Sequence, residues 1–573
     1  MKARTDPLRP AGKTFTRLHP IWRVGIVAAL AGILNRRKSS PAGRRAHVLW
    51  SAVAAVAIAL LPSGAARAAA FPGESTVTAR ASAPARLPAG TIARTTVDPL
   101  ALSRLARVRP FPSFLGVSYE LHQFPSATGV PATGPNYLFD RLLYGLARYG
   151  GGWPTVRVGG GSTDDTFWNP DGEPRPRGIN HSIGQAWLAG LTSFATRSRA
   201  PLILGLNLAT PDPGIAGNLA AAIQGALGAG RVLSYELGNE PELYGIEPRS
   251  TDAEGRFFAR PRNYSFSQYL SEFSARARYL RQAFPGLPLS GPAIGTVWTP
   301  GLPTFLSQNR AALNLATLHY YPFCTCVTDP RAPGYPTLYR LLSPQAVLGF
   351  LGQRIAAAAT QARRQRLGLR LSEVGSVAGG GGALGPSFAS ALWGADVMLA
   401  MSAVDVRGVN FHTSGTYTPF AFSYDQGWRA SVNPLYYAML FYARATANRG
   451  RFLPNATTGI QRAAGVNVSL WANVDHRGTV RVAILNKDLR RSGTVQIRVP
   501  RGFFRGTVTR MRAPSALSTT GVTLAGQSFA RPTTDARLLG RYLSYPVRRG
   551  PLETYRVYMP RTSGAILTVA RRR

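Results

Sequence analysis

Eight short apolar runs alternate with helix-like segments between residues 114 and 411. Ala/Leu-rich stretches such as 218–227 and 347–365 separate the runs. Strands that alternate with helices are typical of a parallel sheet, and eight such units predict a (β/α)8 TIM barrel. In chain order, the predicted strands are 114–119, 155–158, 201–206, 233–237, 287–290, 315–319, 367–371 and 406–411.

Two glutamates follow strands of this predicted barrel. Glu240 comes after the fourth run, behind Asn239 and before Pro241, and Glu373 comes after the seventh run. Either residue alone is as well explained as a solvated or capping side chain. The carboxyl ends of the strands form the mouth of the barrel, where barrel enzymes have their active sites. As a pair at this mouth, the two glutamates are expected to face each other from opposite sides. Such a pair predicts glycoside hydrolysis, in which one carboxyl protonates the leaving oxygen and the other attacks or activates water.

The chain of 573 residues is longer than a barrel of roughly 250 residues requires. After about residue 436 the pattern changes to short alternating strands, which predicts a C-terminal all-β, sandwich-like domain. Ser75–Thr78 is a candidate strand for the same sheet. We therefore expect four segments: a leader at 1–70, a linker and joining strand at 71–105, the catalytic barrel at 106–435 and the β-domain at 436–573.

The leader has the residue order of a secretory signal. Basic residues, including Arg44 and Arg45, precede an apolar run at 48–61 and the small residues Ala68–Ala70. This order predicts cleavage after Ala70 and a secreted or cell-envelope protein. The run has 14 residues, fewer than the roughly 20 that span a bilayer, so an uncleaved membrane anchor is the weaker alternative. An earlier apolar run at 24–34 also leaves an overextended start open.

The net charge of +41 would ordinarily indicate a nucleic-acid partner. Here, however, the chain has 63 arginines against four lysines, and it is rich in Ala, Gly and Pro, which indicates a compositional bias. The arginines are dispersed, whereas a nucleic-acid site would cluster them among aromatic residues. We therefore expect no nucleic-acid partner, while attraction to acidic polysaccharides stays compatible with the charge.

Cys324 and Cys326 are the two cysteines of the chain. Their spacing leaves two states open, a tight disulfide ring in an oxidising compartment or two free thiols. Two thiols alone cannot form a structural zinc site. No metal-ligand pattern, phosphate-binding motif or serine triad stands out in the sequence, so we expect no cofactor.

These motifs resemble glycoside hydrolase family 79, the group of heparanases and microbial β-glucuronidases, from about residue 114 to the C-terminus. The most specific element is Glu236-Leu237-Gly238-Asn239-Glu240-Pro241, although many barrel glycosidases of the same clan share its Asn-Glu pair. The supporting motifs occur in the same order as in the family: Val156-Arg157-Val158-Gly159-Gly160 with Asp164, Leu204-Gly205-Leu206-Asn207, Ala316-Thr317-Leu318-His319-Tyr320-Tyr321, Ser372-Glu373 before Gly379-Gly380-Gly381-Gly382, and Val409-Asn410-Phe411-His412.

The resemblance implies a role for each catalytic carboxyl. Glu240 would be the general acid/base and Glu373 the nucleophile of a retaining mechanism. Asn239 would contact the 2-hydroxyl of the sugar, with a strand-end turn residue as the alternative.

Three further residues are implied as parts of the wall around the sugar. Tyr320 would donate its phenolic hydroxyl to the nucleophile, and His319 would support the same wall; for Tyr320 the alternative is a core position. Glu120, at the end of the first predicted strand, would receive sugar hydroxyls, and a salt bridge to an arginine is the alternative.

The chain departs from the family in the loop after Glu373. A tyrosine that helps to receive the carboxylate of the sugar typically precedes the glycines, and this chain has Ala378 there. Gly379 and Gly380 would still offer backbone N–H groups to an anion. Phe411 also stands where a tyrosine is expected, and Tyr417 or a nearby arginine is a candidate replacement.

The leading interpretation is an exported retaining β-glycosidase whose partner is a carbohydrate, a β-glucuronide or a related uronic-acid glycan. Membrane contact is expected only through an uncleaved N-terminal anchor. Within the enzyme class, the alternative is a glycosidase of the same clan that acts on a neutral sugar. From another class, the alternative is a non-catalytic surface protein that binds glycans.

Overall fold

The computed structural model describes residues 87–98 and 108–571, apart from 229, 253, 296, 454–458 and 500–501. The described residues all belong to one compact unit. The predicted leader at 1–70 and the candidate strand Ser75–Thr78 lie outside the described residues. In the described part of the chain, no helix combines the length and the apolar character needed to cross a membrane.

Eight parallel strands close into a barrel, which confirms the predicted fold class. Each strand pairs with the next one along the chain, and the eighth pairs with the first. All eight predicted runs overlap an observed strand. The barrel strands, in chain order, are Leu115–Glu120, Thr155–Gly159, Leu202–Leu206, Val232–Leu237, Leu289–Ile294, Leu313–Tyr320, Gly368–Val374 and Gly408–His412.

Helices lie in the connections between the strands and after the last one. The longest, Phe266–Ala283, begins at a capping box in which Ser265 and Gln268 each satisfy the backbone N–H of the other. The helices pack against the outward-facing side chains of the strands, and together they form the main hydrophobic core. Their bounds are Pro125–Thr128, Tyr137–Ala147, Gln185–Arg197, Pro213–Leu227, Phe266–Ala283, Leu302–Gln308, Leu338–Leu342, Gln345–Leu348, Phe350–Arg364, Phe388–Ala403 and Pro434–Ala445.

The interior of the barrel contains buried polar side chains beneath the mouth. Arg370 on the seventh strand donates its Nε to Oδ1 of Asn410 on the eighth, at 2.6 Å, and both side chains are buried. A Cβ at Gly116 on the first strand would lie 2.6 Å from the amide nitrogen of Asn410 and 2.8 Å from the guanidinium of Arg370. Glycine at this position therefore makes room for a buried polar layer beneath the mouth.

Four two-stranded ribbons lie in loops outside the barrel and the sandwich. Three of them follow the carboxyl ends of the second, fourth and eighth barrel strands, on the side where barrel enzymes bind substrate. The ribbons pair Thr166–Trp168 with His181–Ile183, Ser250–Asp252 with Gly255–Phe257, Phe420–Tyr424 with Trp428–Val432, and Ser528–Phe529 with Leu538–Leu539.

The C-terminal part forms two sheets with a hydrophobic core of their own. In Gly493–Arg498, the alternate residues Val495 and Ile497 are buried, as in a strand with one face on a core. The first sheet has the strands Gln461–Arg462, Thr91–Thr96, Gly493–Arg498 and Thr554–Met559. The second has Arg451–Phe452, Val468–Val474, Val480–Asn486, Ser563–Arg571, Phe503–Arg512, Thr523–Leu524 and Tyr545–Val547. This confirms the predicted all-β, sandwich-like part, and the exact segment boundaries stay predictions.

Candidate active site

Glu240 lies three residues beyond the fourth barrel strand. Its backbone is in the left-handed region, at φ 44° and ψ 58°, a conformation that is uncommon for a residue other than glycine. Its N–H donates to the carbonyl of Ala293 on the fifth strand, at 2.9 Å. Oε1 lies 2.8 Å from Nδ1 of His319, and the side chain is 25% exposed, so the carboxyl can reach a substrate.

Glu373 is the penultimate residue of the seventh barrel strand and is buried. Oε2 accepts a hydrogen bond from Nη1 of Arg157 at 2.6 Å, and Oε1 accepts one from the hydroxyl of Tyr321 at 2.9 Å. Burial alone would raise the pKa of Glu373, but the charges of His412, His319 and Arg157 and the hydrogen bond from Tyr321 outweigh it. Its pKa is therefore held well below the usual range, and the side chain is ionised.

The two carboxyls lie close together. One oxygen of Glu240, one oxygen of Glu373 and one ring nitrogen of His319 are all within 4.8 Å of one another. The sequence predicted that the two carboxylate-bearing strands lie on opposite sides of the barrel, and this prediction is wrong. The fifth and sixth strands lie between them, so they are three positions apart in the ring of eight. A carboxyl separation of about 5 to 5.5 Å is typical of a retaining glycosidase.

The same three side chains could also share a metal ion, because their ligand atoms are close enough together. A divalent cation bound there would, however, face the guanidinium of Arg157, which already neutralises Glu373. The contacts of these side chains with one another and with Arg157 give each of them a partner that is not a metal.

Arg157, on the second barrel strand, is fully buried and links the site together. Its Nε donates to Oε2 of Glu236 at 2.6 Å, and its Nη2 donates to Oδ1 of Asn239 at 2.7 Å, in addition to the contact with Glu373. Sequence reasoning predicted no role for this residue. The available signal was an arginine inside an apolar strand, since a buried charge of this kind requires partners.

Asn239 is oriented from both its backbone and its side chain. Its N–H donates to Oδ2 of Asp164 at 2.9 Å, and its side-chain oxygen accepts from Arg157. Asp164 also accepts from the N–H of Leu208 and from the hydroxyl of Tyr244, at 2.9 and 2.8 Å. Among the described residues, the amide nitrogen of Asn239 has no acceptor, which leaves it available to a substrate hydroxyl.

The prediction for Tyr320 is wrong by one residue. Tyr320 is fully buried, its hydroxyl donates to the carbonyl of Ala346 at 2.9 Å, and its ring stacks on Trp393 in the helix layer. The adjacent Tyr321 provides the hydroxyl on Glu373 instead. Tyr320 ends the sixth strand and Tyr321 directly follows it, and their hydroxyls lie on opposite sides of the barrel wall, so the two tyrosines cannot exchange roles.

Glu120 reaches the site through His412. Its carboxylate accepts from the N–H and the hydroxyl of Ser162, at 2.8 and 2.6 Å, and its Oε1 lies 3.1 Å from Nε2 of His412. Neither of its partners is an arginine, which was the alternative. Burial raises the pKa of Glu120, but the hydrogen bond and charge of His412 outweigh it, and the net pKa is lowered.

His412 connects Glu120 to the nucleophile. Its Nδ1 lies 3.8 Å from Oε2 of Glu373. Burial would lower the pKa of His412, but the charge of Glu373 and the hydrogen bond to Glu120 raise it. The pKa of His319 is raised in the same way, because the charge of Glu373 and the bond to Glu240 outweigh burial. The mouth therefore favours protonated histidines beside its carboxylates.

A second acid lies beside Glu240. Glu242 accepts a hydrogen bond from the N–H of Gly295, and its other carboxyl oxygen is buried. Burial and the charge of Glu240 raise the pKa of Glu242 to about 8. This residue, which sequence reasoning also missed, therefore carries a proton at neutral pH.

The glycine loop, Gly379–Gly382, follows Glu373 and has four consecutive residues with positive φ. A side chain at Gly381 would lie 2.5 Å from the ring of Tyr417, which in turn packs edge-on against Tyr321. No described residue accepts the N–H groups of Gly379 and Gly380. Gly379 and Gly380 are exposed, and the role of their N–H groups as donors to an anion stays a prediction.

Phe411 and the two cysteines also have defined positions in the structure. Phe411 is fully buried, with its ring against Trp393 in the helix layer, so it does not reach the mouth and its departure from the family pattern does not bear on the sugar. Cys324 and Cys326 form a disulfide.

No protein-family model matches the chain, but two β-glucuronidases are similar to it in sequence. A β-glucuronidase of Aspergillus niger is 25% identical over 345 residues, which cover 54% of this chain and 59% of that protein. A β-glucuronidase of Neurospora crassa is 26% identical over 196 residues, which cover 30% and 32%. The chain thus matches less than two thirds of the length of either relative.

The chain resembles β-glucuronidases. Among solved structures, a 4-O-α-L-rhamnosyl-β-D-glucuronidase of Fusarium oxysporum matches with a TM-score of 0.66 at 17% identity, over 83% of this chain and 100% of that one. A family 51 arabinofuranosidase of Xanthomonas axonopodis matches with a TM-score of 0.56 at 15% identity, over 83% and 99%. At these identities the structural matches show the fold, that of barrel glycosidases.

Within this β-glucuronidase-like fold, the mouth brings together most of the predicted site residues. They are Glu240, Glu373, Asn239, His319 and Glu120, held by Arg157, Tyr321 and His412. Gly379 and Gly380 lie in the adjoining loop, and Tyr320 is excluded.

Proposed function

We propose that the chain is a retaining β-glycosidase that hydrolyses β-glucuronides or related uronic-acid glycans. The observation that carries the proposal is the pair of glutamates, in which one oxygen of Glu240 and one oxygen of Glu373 lie within 4.8 Å of each other. The charges of His412, His319 and Arg157 and the hydrogen bond from Tyr321 lower the pKa of Glu373 and keep it ionised. The similarity to two β-glucuronidases supports the choice of sugar.

In the first step, the carboxylate of Glu373 attacks the anomeric carbon while Glu240 gives its proton to the glycosidic oxygen. The bond between carbon and oxygen breaks, the alcohol leaves, and an ester joins the sugar to Glu373. Arg157 neutralises the carboxylate before the attack and stabilises it again when it is released. Its bond to Asn239 orients that amide for the 2-hydroxyl.

In the second step, Glu240 takes a proton from water, whose oxygen attacks the anomeric carbon and displaces Glu373. Two inversions return the sugar in its original β configuration. His319, hydrogen-bonded to Glu240, orients the carboxyl that moves both protons. Each step leaves the charges balanced, because the proton lost by Glu240 in the first step is regained in the second.

The glycine loop provides the recognition of the uronate carboxylate in this proposal. Successive backbone N–H groups in a turn can bind an anion without a charged side chain. Ala378 contributes no hydroxyl there, so a neutral sugar is the second candidate, acted on by the same two carboxyls.

A panel of aryl glycosides tests the proposal and separates the candidates. Purified protein is incubated with the nitrophenyl glucuronide, glucoside, xyloside, galactoside and arabinofuranoside, and Glu373→Gln serves as the inactive control. Preferred hydrolysis of the glucuronide is expected. Preferred hydrolysis of a neutral glycoside would mean that the substrate is a neutral sugar and not a glucuronide. Binding of polysaccharide without hydrolysis of any glycoside would favour a glycan-binding protein.

We also propose that the protein works outside the cytoplasm. The predicted signal sequence motivates this location, and the disulfide between Cys324 and Cys326 is of the kind that persists in oxidising compartments. The test is to locate the full-length protein by cell fractionation; recovery from the cytosolic fraction alone would contradict the proposal.

A further inference from the structure

The disulfide lies against the glycine loop. Cys324 is half-buried, Thr325 and Cys326 are exposed, and together these three residues form what we call the bridged turn. The turn directly follows Phe323 and comes three residues after Tyr321, whose hydroxyl contacts Glu373.

Hydrogen bonds join the bridged turn to the start of the glycine loop. Thr325 donates its N–H to the carbonyl of Ala378 at 3.0 Å and its hydroxyl to the carbonyl of Gly379 at 2.7 Å. Ala378 in turn donates its N–H to the carbonyl of Phe323 at 2.7 Å. A Cβ at Gly379 would lie 2.4 Å from the hydroxyl of Thr325, so the contact requires glycine.

The far side of the loop is held by Thr416. Its hydroxyl donates to the carbonyls of Gly380 and Gly382, at 3.0 and 2.9 Å, and its N–H donates to Gly380 at 3.0 Å. Glycines have no side chains that could anchor them and lose more backbone freedom on ordering than other residues. The carbonyl contacts to Thr325 and Thr416 therefore set the direction of the N–H groups of the loop.

We propose that the bridged turn is a positioning element that fixes the glycine loop for binding the carboxylate of the substrate, with Thr325 as its positioning residue. The proposal rests on the proposed function, because it assigns to the disulfide a part in uronate recognition at the same site. The disulfide limits the backbone of Thr325, and Thr325 in turn holds the carbonyls of Ala378 and Gly379.

Reduction of the disulfide should therefore weaken substrate binding. Dithiothreitol breaks the bond between the two sulfurs to give two thiols and is itself oxidised to its cyclic disulfide, a balanced two-electron exchange. Cys326 is exposed, so the reagent has access. Arg157 and Tyr321 hold Glu373, and His319 holds Glu240, so the contacts of the two carboxyls do not include this disulfide.

The kinetic test compares oxidised and dithiothreitol-treated protein on nitrophenyl glucuronide. We expect the KM to rise about 10- to 100-fold on reduction, the size of a lost hydrogen bond to a charged group, with kcat changed less than about twofold. Cys324→Ser/Cys326→Ser should show the raised KM without reductant and no response to it. An equal KM for the oxidised and reduced protein would overturn the proposal.

Thr325→Val keeps the disulfide and removes one hydroxyl, so it remains informative if the double variant does not fold. It should raise the KM in the same direction. An unchanged KM in this variant, or a change in kcat alone, would contradict the positioning role.

Hydrogen exchange at residues 375–386 gives a readout that needs no substrate. Faster amide exchange on reduction is expected in this segment and not in the strands of the β-domain. If the oxidised protein does not hydrolyse the glucuronide, the proposed function fails, while the exchange result still decides whether the bridged turn holds the loop. Equal exchange before and after reduction would overturn that part.

Discussion

The hydroxyl of Tyr321 lies 2.9 Å from Oε1 of Glu373, whereas that of its neighbour Tyr320 lies 2.9 Å from the carbonyl of Ala346. Two adjacent tyrosines therefore face opposite sides of the barrel wall. One is part of the site and the other is part of the core, which makes them a matched pair for mutation.

Tyr321→Phe should lower kcat for a glucuronide about 10- to 100-fold, because a hydrogen bond to an ionised carboxylate contributes about 1.5–3 kcal/mol. Tyr320→Phe removes the hydrogen bond from its hydroxyl to the carbonyl of Ala346. That carbonyl still accepts a hydrogen bond from the indole N–H of Trp393, at 3.0 Å. This substitution should cost about 1 kcal/mol of stability and leave kcat nearly unchanged. Steady-state kinetics and urea unfolding of both variants check this, and equal kinetic effects would contradict the assignment.

Glu240→Ala should slow substrates with poor leaving groups far more than activated ones. Nitrophenolate leaves without protonation, whereas an alkoxide requires a general acid whose contribution is about 10²- to 10⁴-fold. The measurement is kcat/KM for nitrophenyl and methyl glucuronides in the variant and the wild type. The same loss for both substrates would be inconsistent with Glu240 as the acid.

Arg157→Met should destabilise the fold by about 3–5 kcal/mol, because it leaves the carboxylate of Glu236 buried without its cation. The double variant Arg157→Met/Glu236→Gln should recover part of this loss. Urea unfolding of the wild type and of both variants provides the comparison. If the free energy of unfolding of Arg157→Met is within about 1 kcal/mol of the wild-type value, the buried ion pair is not needed for stability.

The stabilisation due to His412 should depend on pH. Glu120 and Glu373 face its ring nitrogens at 3.1 and 3.8 Å, the hydroxyl of Ser118 lies 3.3 Å away, and the charge of Arg157 opposes its protonation. Burial lowers the pKa of His412, but the two carboxylates raise it above the value of about 6.5 expected in the unfolded chain. The contribution is therefore fully present below about pH 6.5 and is lost as the pH rises through the folded pKa.

His412→Gln provides the measurement for this dependence. The difference in Tm between the wild type and the variant should be largest near pH 5–6 and shrink toward pH 9. A difference that stays constant, or that grows with pH, would contradict the raised pKa. His476→Gln, a histidine outside the site, serves as the control.

The strands of the barrel could be predicted because each is a short, continuous apolar run between helical segments. The positions of the two carboxyls could also be predicted from the order of the runs, since Glu240 and Glu373 follow the fourth and seventh runs. Which of Tyr320 and Tyr321 contacts Glu373 could not be predicted from the sequence. The reason is that the register shifts between Leu318 and His319, where the sixth strand pairs with the seventh. A shift of one residue exchanges the two faces of a strand.

Contacts between distant parts of the chain were also beyond the sequence. Arg157 and Glu236 are 79 residues apart, and no periodicity connects an arginine on one strand to a carboxylate on another. Similarly, the spacing of Cys324 and Cys326 was compatible with two states, and only the fold shows them paired against the loop that follows Glu373.

The stereochemistry of the first product tests the central claim most directly. Hydrolysis of nitrophenyl β-glucuronide is followed by proton NMR from the first minutes, before the free sugar mutarotates. A retaining mechanism through Glu373 predicts β-glucuronic acid as the first product, with the α anomer appearing later. The α anomer as the first product, or no release of glucuronic acid, would contradict the proposed double displacement.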